Sequence, residues 1–221
     1  NMTIRNRVVM PPMCMYSADT HGIANDFHFT HYTSRAVGQA GLIIMEATGV
    51  QSCGRISDHC LGLWNDEQAE AITPIVHACR EYGTKMAIQL NHAGRKCEAQ
   101  EKTILAPSAI PFEDGSPMPK EMTKGDIKDV IDAFRSAAKR AADIGFDALE
   151  IHGAHGYLIS EFLSPLINHR SDEYGGSTEN RSRILIEVLK AVHEVWPKEK
   201  PVLLRVSAED YEKDGMHADE M

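Results

Sequence analysis

The sharpest chemical feature of this 221-residue chain is the run His152-Gly-Ala-His155-Gly-Tyr157. Two imidazoles three residues apart, just after a strand, can point two N–H donors at one oxygen. Such a pair polarises a carbonyl and stabilises the negative charge that develops on it. Tyr157, two residues on, adds a phenol able to deliver a proton to carbon or oxygen. Two plainer readings stay open. The pair could ligate a metal, although its spacing differs from the i, i+4 histidines of zinc proteases and no nearby cysteine or carboxylate completes a set. Both could also be structural histidines. No metal site is expected.

Three further residues fit beside that run. Gln89 follows an apolar strand, and its amide can donate and accept along the edge of a planar heterocycle. Arg205 follows another, and its guanidinium can stabilise an electron-rich nitrogen or oxygen, or simply pair with an acid such as Glu150. Cys14 sits on a turn, Pro11-Pro12-Met13-Cys14, where a thiol is ordinarily packing but can also touch a cofactor and tune its redox potential. Lys96 can bind an anion or stand in solvent, and solvent is expected. The charged run Asn168–Arg181 carries Gly175-Gly176 for a tight turn and Ser177 as a cap for the next helix. It reads as a loop scaffold that positions His152 and His155 without touching substrate.

The elements that must hold these residues alternate. Arg7–Met13, Gly41–Ala47, Lys85–Asn91, Asp147–His152 and Pro201–Ser207 are short apolar runs of buried-strand length. Between them lie helix patterns: Phe27–Gly38 behind Asp26 as its cap, Asp66–Tyr82 between Asn65 and Gly83, a helix opened by Thr123 with Asp126 and closed by Gly145, and Asn180–Trp196 stopped by Pro197. Lys96–Met122 is polar and Pro-rich, and reads as an excursion from the sheet. Such an order suits a doubly wound sheet or a (β/α)8 barrel. No G-x-G-x-x-G follows a predicted strand, which weakens the dinucleotide fold. Polar residues gather just after the strands: Cys14 and Tyr16, Glu46, Gln89 with Asn91 and His92, His152 with His155, Arg205 with Ser207. In a barrel these share the face where active sites sit. An α/β chain of class (β/α)8 is therefore expected, present as an incomplete barrel of about five βα units. In that setting Gln89, Arg205 and the histidine pair suit a flavin ring over the barrel mouth.

Composition narrows the classes of partner. With 23 basic and 32 acidic residues the formal net charge is −9, and no Lys/Arg block occurs, so nucleic acid is not expected as a partner. The longest apolar runs are too short to cross a bilayer, so no membrane partner is expected either. Five cysteines without a C-x-x-C support neither a disulfide framework nor a zinc ribbon, and a reducing cytoplasm is the default. No secretory signal opens the chain, and the first residue, Asn1, suggests a native start further upstream.

These residues bring a family into view. The sequence resembles the old yellow enzyme family of FMN-dependent NADH:flavin oxidoreductases and ene-reductases. The likeness runs through Asn6–Tyr16, Gln89-Leu-Asn-His92-Ala-Gly-Arg95, Ala106-Pro-Ser108, Glu150–Leu158 and Asn168–Arg181. Cys14 with Tyr16 is similar to the bacterial, YqjM-like subgroup, where the yeast branch has a threonine near the flavin. The resemblance implies one FMN-binding barrel domain over 1–221, truncated after its fifth strand. It implies that Pro11, Pro12, Met13 and Cys14 run past the isoalloxazine, that Ala47 lines it, that Gln89 bonds its pyrimidine edge and that Arg205 faces N1 and the C2 carbonyl. It implies that His152 and His155 grip the substrate carbonyl, that Tyr16 closes the pocket and that Tyr157 gives the proton. The cofactors implied are FMN, with NADPH or NADH as hydride donor. The substrate implied is an α,β-unsaturated carbonyl compound, reduced at its C=C bond in a ping-pong cycle. A cytoplasmic homo-oligomer is expected at full length.

Two rival readings accompany this one. A 2,4-dienoyl-CoA reductase or NADH oxidase-like flavoenzyme would share this first barrel half and add an iron–sulfur cluster further on. Alternatively, the 221 residues alone would be a noncatalytic half-barrel with two open sheet edges and weak FMN binding.

Overall fold

The computed structural model describes residues 2–101 and 103–220. Five strands form one parallel sheet: β1 (Val9–Met10), β2 (Leu42–Gly49), β3 (Lys85–Asn91), β6 (Ala148–Gly153) and β7 (Val202–Val206), each paired with the one before it in this order. Helices α1 (Asp26–Val37), α2 (Asp66–Glu81), α3 (Lys124–Ile144) and α6 (Arg183–Val195) fill the crossovers. This unbroken β-α order is an arc of a barrel, as the strand and helix patterns predict.

Register assigns each side chain to a face. Ile44 lies opposite Ala87, Gln89 opposite Glu150, and His152 opposite Arg205. Leu42, Ile44, Ala87 and Ala148, with Leu203 against them, form a small apolar cluster on this inner face. Their alternating neighbours Ile43, Met45, Met86, Ile88, Leu149 and Ile151 join the large core with the helices. The inner row is thus apolar at its base and polar at the carboxyl end of the strands.

Local chemistry fixes the helix ends. Thr123 and Asp126 form a reciprocal capping box on α3, and Gly145 closes that helix at φ +99°. Asn65 caps α2 as expected, with Gln68 reaching back. The cap of α1 is Asn25 rather than Asp26: its Oδ1 accepts from the Phe27 amide at 3.0 Å. Asp26 falls inside the first turn, where its charge suits the positive end of the helix. The expected helix over 180–196 is two pieces, α5 (Thr178–Arg181) and α6, with Ser177 capping α5. Arg181 explains the break, because it turns inward and donates to the Leu163 and Gly176 carbonyls. The excursion at 96–122 holds a two-stranded parallel sheet, β4 (Leu105–Ala106) with β5 (Lys120–Glu121), and a short helix α4 (Leu158–Leu163) follows Tyr157. These pieces are too short to carry a readable period.

Candidate active site

The predicted histidine turn lies at the carboxyl end of β6. His152 is buried at 3 % exposure, and the His155 ring crosses it at 87° with centroids 5.0 Å apart. The Tyr157 ring stands edge-on to His152 at 5.1 Å. His152 Nδ1 accepts the Ala154 amide at 3.3 Å, so in the neutral ring the proton sits on Nε2. Burial, then His155, Arg205 and Lys96, push His152 down to about 3, which keeps it neutral. His155 is lowered as well, by burial first and then by Arg205 and Lys96. Both imidazoles are therefore N–H donors rather than cations near neutral pH. Burial, then Cys14 and Tyr16, raises the Tyr157 phenol to about 12, so it keeps its proton.

The turn is held by strain and by partners. His155 and Gly156 both take left-handed backbone, at φ +62° and +70°. Ser207, just past β7, accepts the His155 amide at 2.9 Å. Lys96, expected in solvent, is engaged instead. It donates to the His155 carbonyl at 3.1 Å, and its ammonium lies 5.0 Å from the Tyr157 ring and 4.8 Å from the Phe112 ring. Its sequence neighbours are polar, and only the fold brings two aromatic faces to it.

Facing the turn is the β1–α1 loop. Pro11 and Met13 are exposed, Pro12 and Cys14 half-buried, and Tyr16 exposed at φ +51°. Ala47 and Cys60 belong to a small apolar cluster against which both Cys14 and Tyr157 pack. Burial raises the Cys14 thiol to about 12, against contacts with the Ala47 backbone and the Tyr16 side chain that favour its thiolate. Gln89 donates to Glu150 Oε1 at 2.6 Å. Glu150 is raised by burial, with Gln89 and Arg205 pulling the other way. Arg205 does not close a direct ion pair with it; its half-buried guanidinium shows neither a side-chain hydrogen bond nor an ion pair among the described residues.

The sequence candidates therefore converge on one mouth. The donors there include an uncommitted guanidinium, a glutamine with one N–H and its carbonyl free, and an apolar floor of Ala47, Cys14 and Cys60. That set fits a planar heterocycle with polar edges such as FMN. Among the described residues no three His, Cys, Asp or Glu side chains are grouped to hold a metal, and no helix is long and apolar enough to cross a membrane. The 168–181 run behaves as a brace. Arg170 donates to the Pro107 and Met122 carbonyls and pairs with Asp172, tying this loop to the excursion. Asn168 donates to the Phe162 carbonyl and so secures α4, the helix leading out of the histidine turn.

A family model described as NADH:flavin oxidoreductase / NADH oxidase family matches residues 1–221. The chain belongs to this family. The NADPH dehydrogenase of Clostridium acetobutylicum is 62 % identical over 211 residues, which is 96 % of this chain and 62 % of that protein. The chain thus spans under two thirds of the length of this curated relative. Among solved structures, the old yellow enzyme homologue from Zymomonas mobilis aligns with TM-score 0.86 at 32 % identity, over 99 % of this chain and 64 % of that one. A 2-naphthoyl-CoA reductase in complex with 2-naphthoyl-CoA aligns with TM-score 0.92 at 26 % identity, over 98 % of this chain and 35 % of that one. The old yellow enzyme resemblance and the barrel architecture read from the sequence stand on these matches.

Proposed function

We propose that this chain carries the carbonyl-binding half of an FMN-dependent NAD(P)H dehydrogenase that reduces the C=C bond of α,β-unsaturated carbonyl compounds. The observation that carries the reading is the His152–His155–Tyr157 constellation: two neutral imidazole donors and a protonated phenol on one turn, beside Arg205 on the inner face. Residues 1–221 form one domain in this reading, acting as a cytoplasmic homo-oligomer when part of the full-length protein.

FMN is held by Gln89 and Arg205 at its polar edges, and by Pro11–Cys14 and Ala47 along its ring. When bound, it would supply the reversible two-electron chemistry of the reaction. The imidazoles bind the substrate oxygen by N–H donation and so place its conjugated carbons over the mouth, with Tyr16 closing above. As negative charge grows on that oxygen, the two donors meet it without reorganising. The Tyr157 phenol, kept protonated by its buried position, delivers the proton to the α-carbon. Net, the alkene gains a hydride equivalent taken from the nicotinamide donor and a proton from Tyr157, which water then restores.

The test is anaerobic stopped flow on the FMN-loaded full-length protein. Tyr157→Phe slows flavin reoxidation by cyclohexenone about 10²-fold or more while flavin bleaching by NADPH stays near the parent rate. Equal cyclohexenone rates in parent and variant remove Tyr157 as the acid. A second reading, an aromatic or unsaturated acyl-CoA as substrate, is favoured by the likeness to the 2-naphthoyl-CoA reductase. Reoxidation by an enoyl-CoA at least as fast as by cyclohexenone selects it.

A further inference from the structure

Glu46 stands apart from the mouth described above. It is fully buried within β2, next to Ala47 and inside the register shift between Met45 and Thr48, and points away from the inner face toward α1. Its Oε1 accepts the Tyr32 hydroxyl at 3.2 Å, and the Tyr32 oxygen in turn accepts the Glu46 amide at 3.0 Å. Its Oε2 accepts the backbone amide of Met15 at 3.0 Å. Met15 lies between Cys14 and Tyr16, the two side chains that the loop presents to the mouth, and Tyr16 sits in the left-handed region at φ +51°. Left-handed backbone on a tyrosine costs about 1–2 kcal/mol and needs neighbouring contacts to hold it.

We propose that Glu46 is a positioning residue, whose carboxylate holds the Met15 amide and thereby fixes Cys14 and Tyr16 in their places at the mouth. This rests on the function proposed above only in the roles given to Cys14 and Tyr16. Both carboxylate oxygens are used as acceptors, one for a backbone N–H and one for a phenol O–H, so the charged form satisfies both donors at once. A protonated acid or an amide places a hydrogen against one of them. The titratable groups that face Glu46 are Tyr32 and His28 of α1, and Cys14 and Tyr16 of the loop. Tyr32 is pushed well up, Cys14 lies at about 12 and Tyr16 is raised. His28, with Nε2 3.8 Å from Glu46 Oε1, is pushed down by burial to about 4. Burial raises Glu46 itself to about 7, against the Met15 amide and the Tyr32 hydroxyl. Near neutral pH Glu46 alone of these groups changes charge.

The experiment follows the Met15 amide by ¹H–¹⁵N NMR in the FMN-loaded full-length protein labelled with [¹⁵N]methionine, with Met15→Leu assigning the peak. The Met15 amide proton resonates downfield at pH 8.5 and moves upfield with a midpoint near 7 as the carboxylate is lost. In Glu46→Gln that titration is gone, and KM for cyclohexenone rises about fivefold while bleaching by NADPH changes less than twofold. Tyr32→Phe, which leaves the Met15 contact in place, keeps the titration. A Met15 amide that does not move between pH 8.5 and 5.5, or one that still titrates in Glu46→Gln, overturns the proposal. The parent titration is read without any variant, so a poorly folded Gln protein does not decide it. A Met15 titration lost in Glu46→Gln, alongside an unaffected Tyr157→Phe, supports the positioning role and removes Tyr157 as the acid of the proposed function. The converse pair of results removes the positioning role alone.

Discussion

The two sides of the mouth are built differently. On the β6 side, His152 is buried, the His155 carbonyl accepts from Lys96 and its N–H donates to Ser207, and Tyr157 has a cation over its ring and an imidazole edge-on to it. On the β7 side, Arg205 makes no side-chain hydrogen bond or ion pair among the described residues. The first side is an over-determined donor set that needs nothing further to take its shape. The second is a charge in waiting. A neutral, fixed pair of N–H groups suits an oxygen that becomes charged only during reaction, whereas a free guanidinium suits a group that stays bound.

Removing the donors should produce the largest effect. His152→Ala with His155→Ala abolishes binding of p-hydroxybenzaldehyde and lowers enone turnover by about 10²-fold or more, while FMN remains bound. Equilibrium titration of the phenol against the holoenzyme checks it, and unaltered affinity would erase the contrast between the two sides. Arg205→Met should do the reverse. It weakens FMN retention by about 1.5–3 kcal/mol, the range for a hydrogen bond to a charged group, read as FMN released on dilution. It also raises the pKa of His152 and His155, because Arg205 is one of the charges that depress both.

Acid sharpens the contrast further. His152 is depressed to about 3, so its donor form survives as pH falls through the ordinary histidine range. The His152 ring should then show no titration between pH 8 and 5 when followed by ¹H–¹⁵N NMR, and a ring signal that shifts with a midpoint near the ordinary histidine pKa of about 6.5 would contradict it. The same depression has a stability cost. The unfolded chain takes up a proton near pH 6.5 that the folded one refuses, so this site's contribution is intact above that pH and falls by up to about 1.4 kcal/mol per unit below it, until pH nears 3. Denaturant melts of the parent and His152→Ala between pH 7 and 4 should therefore converge as pH falls. The smallest effect belongs to Ser207→Ala. It loses one acceptor for the His155 amide, worth about 1 kcal/mol, and shows as a modest rise in phenol Kd.

Much of this was legible in the residues. β3 falls on Lys85–Asn91 as predicted, since a strand buried on both faces reads as one apolar run with sharp ends. The Thr123–Asp126 box and the Gly145 stop were visible because each is local chemistry with a fixed offset. The histidine turn was visible because its three functional groups lie within six residues. What was not legible depends on contacts between distant residues. Lys96 finds His155 and Tyr157 across some 60 residues, and no neighbour in sequence announces it. Glu46 showed only as a polar residue at a strand end, and its bond to Met15 needs the β1–α1 loop to fold back over β2. The break between α5 and α6 depends on where Arg181 finds its carbonyl partners.

The left-handed backbone at His155 limits what evolution or an engineer can place there. Glycine, asparagine and aspartate enter that region most readily, and β-branched residues resist it. Of these, only asparagine brings an uncharged N–H on its side chain. A library at this position that seeks new carbonyl substrates is therefore best confined to histidine and asparagine, with diversity spent on side chains whose backbone is free.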